Sequence, residues 1–217
     1  LTVKRQNSGH GSGGVSALEA SWEAIRAQHP DVPPAVVVIG AGSSSQRLRL
    51  GHFAASRWQT DNDALAEIFV GGEGLARGAS PVLATLLHEA AHAIAHHRQI
   101  RDTSRQGGYH NQRFKALAEQ LGLQIDHHPT LGWSPTTITN TTVVRYAAAL
   151  DQLEAALSTH RQPEAHSRKR PGDANLLVCV CGCGRRIRVA GGVLELAPII
   201  CSSCQQPFNA SITSAKG

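Results

Sequence analysis

Residues 86–97 read LLHEAAHAIAHH, and the fold is decided by how this stretch is understood. Leu83, Leu86, Leu87, Ala91, Ile94 and Ala95 recur at helical spacing. Ser80 and Pro81, just upstream, have the character of an N-cap and a first-turn proline. A buried helix from Val82 to about His97 is expected. Inside it, His88, Glu89 and His92 form an HExxH pattern. Imidazoles at i and i+4 lie about 6 Å apart along the axis and near one face, so both can ligate one zinc ion. Glu89 lies about 100° round the helix, where its carboxylate can reach a water on that metal without ligating it. In a buried helix, histidines and a glutamate without such a role would be costly to desolvate.

A zinc site open to substrate needs a third protein ligand. His96 continues the i+4 series but lies about 12 Å along the axis from His88, too far to share its metal. A metzincin would continue the motif with glycine and histidine where this chain has Ala95 and Arg98. The remaining candidates are His110, Glu119, Asp126, His127 and His128. His110 is the best of them. It follows the Gly107-Gly108 break, where the next helix (about Asn111 to Leu121) begins, and Phe114, Leu117 and Leu121 could pack that helix back on the first. His127 and His128 read as a solvated pair before Pro129. Tyr109 is either an oxyanion donor or a loop cap, and His52 is an exposed or cleft-edge residue without a visible partner.

Leu86 to Leu123, LLHEAAHAIAHHRQIRDTSRQGGYHNQRFKALAEQLGL, resembles the SprT-like (Spartan-type) zinc metallopeptidase core. In that family HExxH is followed by a His-x-x-x-Phe segment, matched here by His110 to Phe114. Leu50 to Trp58 and Glu67 to Val70 are similar to the short strands before the family's catalytic helix. The resemblance spans roughly Val15 to Leu157. It implies an α+β, minimal zincin-type fold, with His88, His92 and His110 on a catalytic zinc and Glu89 as general base. The family's best-known member degrades proteins crosslinked to DNA.

All 5 cysteines lie near the C-terminus, from Cys179 to Cys204. Such clustering suits metal ligation in a reducing compartment better than a disulfide scaffold. Cys201-x-x-Cys204 is one zinc knuckle, and Cys179, Cys181 and Cys183 supply one cysteine too many for the other. Cys181-Gly182-Cys183-Gly184, followed by Ile187-Arg188-Val189, resembles the zinc ribbon that follows SprT-like cores in some bacterial relatives. That resemblance favours Cys181, Cys183, Cys201 and Cys204, with Cys179 the spare or else a replacement for Cys181 or Cys183. Four thiolates leave no open position, so this second zinc would be structural.

Working outward, helix Ser16–Gln28, strand candidates Ala35–Ile39, Leu48–Ala54 and Glu67–Val70, a loop over Pro129–Asn140 and a last helix Thr142–Leu157 complete the core. The expected organisation is a disordered tail (1–14), the peptidase domain (15–158), a basic linker (159–175) and the ribbon (176–210). Of the 217 residues, those before Arg161 hold 13 Lys+Arg and 13 Asp+Glu, while the remainder hold 8 and 3, which accounts for the whole net charge of +5. Arg168, Lys169, Arg170, Arg185, Arg186 and Arg188 are therefore candidate nucleic-acid contacts. Metal binding tempers this, because four bound thiolates and a dication lower the ribbon's charge by about two. With no apolar signal-peptide core and no apolar run near ~20 residues, a cytoplasmic location without membrane association is expected, and a nucleoid location would follow from DNA binding. The partners expected are a protein or peptide substrate and, secondarily, DNA. Two functions follow: a zinc metallopeptidase, or a non-proteolytic zinc-bearing nucleic-acid-binding or adaptor protein.

Overall fold

The computed structural model describes residues 10–43, 48–163 and 176–210, which fall into two compact units, 1–164 and 165–217. In the first, α1 (His10–Gln28) is followed by β1 (Ala35–Gly40), β2 (Gly51–Gln59) and β3 (Ala64–Gly71). A 3-10 turn (Gly72–Arg77) leads into α2 (Ala79–His97). Then come β4 (Thr103–Ser104), β5 (Tyr109–His110), α3 (Gln112–Gln120), β6 (Leu123–His128), β7 (Gly132–Ile138), α4 (Asn140–Arg145) and α5 (Ala147–Ala156).

Two sheets frame the unit. One has the order β1-β3-β2, with β1 parallel and β2 antiparallel to β3. The other has the order β4-β5-β7-β6. Helix α2 packs against β2, β7, α3 and α5, and supplies the centre of the core. Val82, Leu83, Leu86, Leu87, Ala90 and Ala91 are completely buried, which their near-continuous apolar sequence dictates. Trp22 and Ile25 of α1 and Leu153 of α5 close the core over it.

Several boundaries differ from the sequence expectation. Helix α1 begins at His10, so residues 10–14 are helical rather than tail; residues 1–9 lie outside the described residues. Helix α2 starts at Ala79, and its N-cap is Gly78 with φ 86°, a left-handed conformation that glycine adopts without strain. Ser80 therefore lies inside the helix and makes no cap. The expected loop 129–140 contains β7, whose Thr136, Thr137 and Ile138 favour extended backbone. Its Pro135 falls at the register shift between Ile125 and His127 of β6, where a missing N–H removes no ladder bond. The expected last helix is two, joined at Tyr146, and Thr139 caps the first by accepting from the Thr142 amide.

The first unit also reaches further than residue 158. The Arg161 amide bonds the Gly72 carbonyl at 3.0 Å, and its guanidinium pairs with buried Glu73 at 3.1 Å. Arg161 thus belongs to the first unit rather than to a linker.

In the second unit, β8 (Leu177–Val180), β9 (Arg186–Val189), α6 (Gly191–Leu196) and β10 (Asn209–Ala210) form a small sheet of order β10-β8-β9 and one short helix. Its core is Cys179, Cys181, Cys201 and Phe208, backed by Ile187, Val189, Leu194 and Ile199. Among the described residues, no helix is long and apolar enough to cross a membrane.

Candidate functional site

Helix α2 presents His88 and His92 one turn apart, and β5 brings His110 to them. Nε2 of His110 lies 3.2 Å from Nε2 of His88 and 3.2 Å from Nε2 of His92. A tetrahedral zinc with ~2.0–2.1 Å bonds would separate its nitrogen ligands by about 3.3–3.4 Å. The donor set and spacing therefore fit zinc, and these three side chains form a candidate metal-binding cluster.

The far sides of two rings are held. His92 Nδ1 lies 2.6 Å from Asp102 Oδ2, and His110 Nδ1 donates to the Leu131 carbonyl at 3.1 Å. Each contact places the ring proton on Nδ1 and leaves the Nε2 lone pair for a metal. Phe114, on the first turn of α3, packs against all three rings, with centroids 4.6, 4.6 and 4.5 Å from His88, His92 and His110. Asn111 starts that turn by accepting from the amides of Arg113 and Phe114. The chain reversal before it is a tight hairpin of β4 on β5, with the Gly107-Gly108 pair at its turn.

Burial, and then the neighbouring imidazoles, push His88 well below its ordinary pKa, and the same forces lower His110. Both are held as neutral imidazoles. For His92 burial also opposes the charge, but the Asp102 hydrogen bond and the Glu89 charge outweigh it and the pKa rises. Glu89 is only 6% exposed, and burial is the main force raising its carboxyl to about 7. The Phe53 amide of β2 donates to that carboxylate. Gly51 lies directly over it: a Cβ there would come 2.7 Å from Glu89 Oε1 and 2.6 Å from Thr85 Cγ2.

These groups open into a cleft of about 1400 Å³. One wall is β2 with the segment before it, including Arg49 and His52, and the other includes Asp126, Ser134 and Thr136. His52 stacks obliquely on Phe69 with centroids 6.2 Å apart. Tyr109, a candidate oxyanion donor by sequence, is directed elsewhere. Successive strand residues face opposite ways, so with His110 in the site Tyr109 is on the other face of β5. Its hydroxyl lies 3.1 Å from His127 Nε2, and Arg105 stacks on its ring. Glu119 pairs with Lys115, and neither it nor Asp126, His127 nor His128 joins the three-histidine cluster.

Sequence reasoning missed Asp102, Gly51 and the Leu131 carbonyl. None carries a spacing signal, because each reaches the site only through chain reversal.

The second cluster is Cys181, Cys183, Cys201 and Cys204, whose sulfurs all lie within 4.8 Å of one another. Cys181 and Cys183 Sγ are 3.2 Å apart, and Cys183 and Cys201 Sγ 3.8 Å. Amides of Cys204 and Ser203 donate to Cys201 and lower its thiol to about 6, while contact with Cys181 pushes Cys183 up to about 12. A cation relieves that competition by allowing every thiol to ionise. Cys179 stands outside the cluster, completely buried on β8 opposite Ile187. Arg185 bonds Ser203 Oγ at 2.7 Å and lies 3.9 Å from Cys201 Sγ, so its charge is directed at the cysteines. Arg186 and Arg188 are exposed on one face of β9. Arg168, Lys169 and Arg170 lie outside the described residues.

The described residues thus carry two candidate metal-binding clusters, one closed by four cysteines and one of three histidines at an open cleft. Comparison with protein-family models, curated proteins and solved structures finds no match.

Proposed function

We propose that this protein is a zinc-dependent metallopeptidase of the SprT-like kind, with a structural zinc in its C-terminal ribbon. The observation that carries this reading is the placing of a buried carboxylate, Glu89, beside three convergent imidazole Nε2 atoms at an open cleft. The likeness of Leu86–Leu123 to the SprT-like core supports it.

Zinc held by His88, His92 and His110 would supply Lewis acidity that polarises a carbonyl and lowers the pKa of a water. Glu89, with its carboxyl near 7, takes a proton from water as the oxygen bonds to the peptide carbon. The C–N bond then breaks, and the same carboxyl returns that proton to the departing nitrogen. Asp102 and the Leu131 carbonyl keep two imidazoles in the ligating tautomer throughout. The Phe53 amide and the tight fit under Gly51 hold Glu89 in place.

The test compares zinc-loaded wild type with Glu89→Gln on an unfolded protein and on a DNA-bound protein. Wild type should cleave, and the variant should bind the same zinc and lose about 10²–10⁴-fold in rate. A zinc-loaded wild type that binds DNA but cleaves neither substrate would overturn this reading in favour of a non-proteolytic adaptor.

A further inference from the structure

Arg77 closes the 3-10 turn before α2 and lines the cleft. Its Nε donates to the Gly74 carbonyl at 3.1 Å, and one terminal nitrogen donates to Thr85 Oγ1 at 2.8 Å. Thr85 in turn donates to the Pro81 carbonyl, which anchors the guanidinium to the first turns of α2. No carboxylate pairs with Arg77 among the described residues. Its surroundings withdraw it partly from water, lowering its pKa by burial. Arg77 as a whole is exposed at the cleft, and an immobilised cation without a carboxylate partner favours an arriving anion, because little side-chain freedom remains to be lost.

The rest of the cleft strengthens that polarity. Arg49 lines the same cleft, and its charge acts on both Glu89 and His52. Nearby Glu73 is already bonded to Ser43 and Arg161. Asp102 is committed to His92, which leaves Asp126, across the cleft, as the acidic group facing solvent there.

On the peptidase reading above, we propose that Arg77 is a specificity residue that binds a substrate carboxylate, so that the cleft selects acidic polypeptide sequence. Thr85 precedes Glu89 by one helical turn, a rise of about 6 Å. An extended chain advances ~3.3–3.6 Å per residue, so the carboxylate recognised lies one or two residues from the bond cleaved. Either an Asp or Glu side chain or a free C-terminus supplies that group.

The experiment uses the zinc-loaded full chain and peptide pairs that differ only in Glu against Gln near the cleaved bond, each with a free or an amidated C-terminus. Wild type should prefer the Glu peptide by about ten-fold or more in kcat/KM. That ratio should fall to near one in Arg77→Met, be partly kept in Arg77→Lys and favour a Lys peptide in Arg77→Glu. Arg57→Met, on the same strand as His52, is the charge control and should leave the ratio unchanged. A preference that follows the free C-terminus instead identifies the terminal carboxylate as the group bound. Equal rates for all pairs in wild type, or an unchanged ratio in Arg77→Met, would overturn the proposal. Should wild type cleave no peptide, the peptidase reading fails on its own. The affinities of zinc-loaded Glu89→Gln for the same pairs, with and without Arg77→Met, then decide the recognition claim: Arg77-dependent preference sustains it, and equal binding sinks it.

Discussion

Asp102 Oδ2 lies 2.6 Å from His92 Nδ1, joining a short loop to the second histidine of α2 across 10 residues of chain. This one contact selects the tautomer of His92 and aims its Nε2 at the other two imidazoles. Removing it should loosen the metal rather than unfold the protein. Asp102→Ala is expected to weaken zinc at the histidine cluster by about 10–100-fold, and Asp102→Asn, which keeps an acceptor, by less. Competition with a chromophoric chelator measures this; an unchanged affinity in Asp102→Ala would remove the contact from the metal chemistry.

The two clusters should fill independently. Wild type should hold two zinc ions, and His110→Ala and Cys204→Ser about one each by elemental analysis. Cys179→Ser should keep both ions and instead lower the melting temperature, because it buries a hydroxyl at a cost of about 1–3 kcal/mol. Loss of zinc in Cys179→Ser would reassign the fourth ligand.

Gly51 is required by close approach and not by its backbone angles. An alanine methyl there would overlap both Thr85 Cγ2 and Glu89 Oε1. Gly51→Ala should cost about 1–3 kcal/mol by overpacking and should displace the carboxylate. Under the peptidase reading, kcat falls further than stability alone explains. Thermal melts and kinetics on the same preparation separate the two effects, and wild-type kcat in Gly51→Ala would show that Glu89 has room to move.

Acid should reveal Glu73. Its carboxylate accepts from Ser43 Oγ at 2.6 Å and from the Gly42 amide at 2.8 Å. The Ser43 hydrogen bond leads in lowering it from an ordinary 4.5 to about 2, against the opposing effect of burial. Because the folded pKa lies below the unfolded one, the stabilisation is fully present above about pH 4.5 and is lost as pH falls toward 2. Glu73→Gln should therefore be less stable at neutral pH, with a shallower decline between pH 5 and 2. Denaturant titrations across that range test it; parallel curves for the two proteins would exclude Glu73 as an acid-sensitive tie.

Much of the candidate site was legible because its spacing is local. A 3.6-residue repeat places His88 and His92 on one face whatever the rest of the chain does, and the same repeat buries the leucines behind them. The pairing of cysteines is nearly as local, since two short knuckles need only one return of the chain. His110 could be proposed from its place after a glycine break, but its Nε2 reaches the others only because β5 lies beside β7.

Sequence alone thus determined the candidate metal-ligating residue types, the amphipathic helix that carries two of them and the cysteine-rich module near the C-terminus. Tertiary structure alone decided that Asp102 and the Leu131 carbonyl orient the imidazoles, that Tyr109 turns away, that Cys179 is core, and that Gly51 and Arg77 shape the cleft around Glu89. The physical reason is the range of each interaction. Helical periodicity acts over a turn or two, whereas these partners meet through strand pairing and chain reversal, and no short-range pattern encodes which backbone will arrive against which side chain.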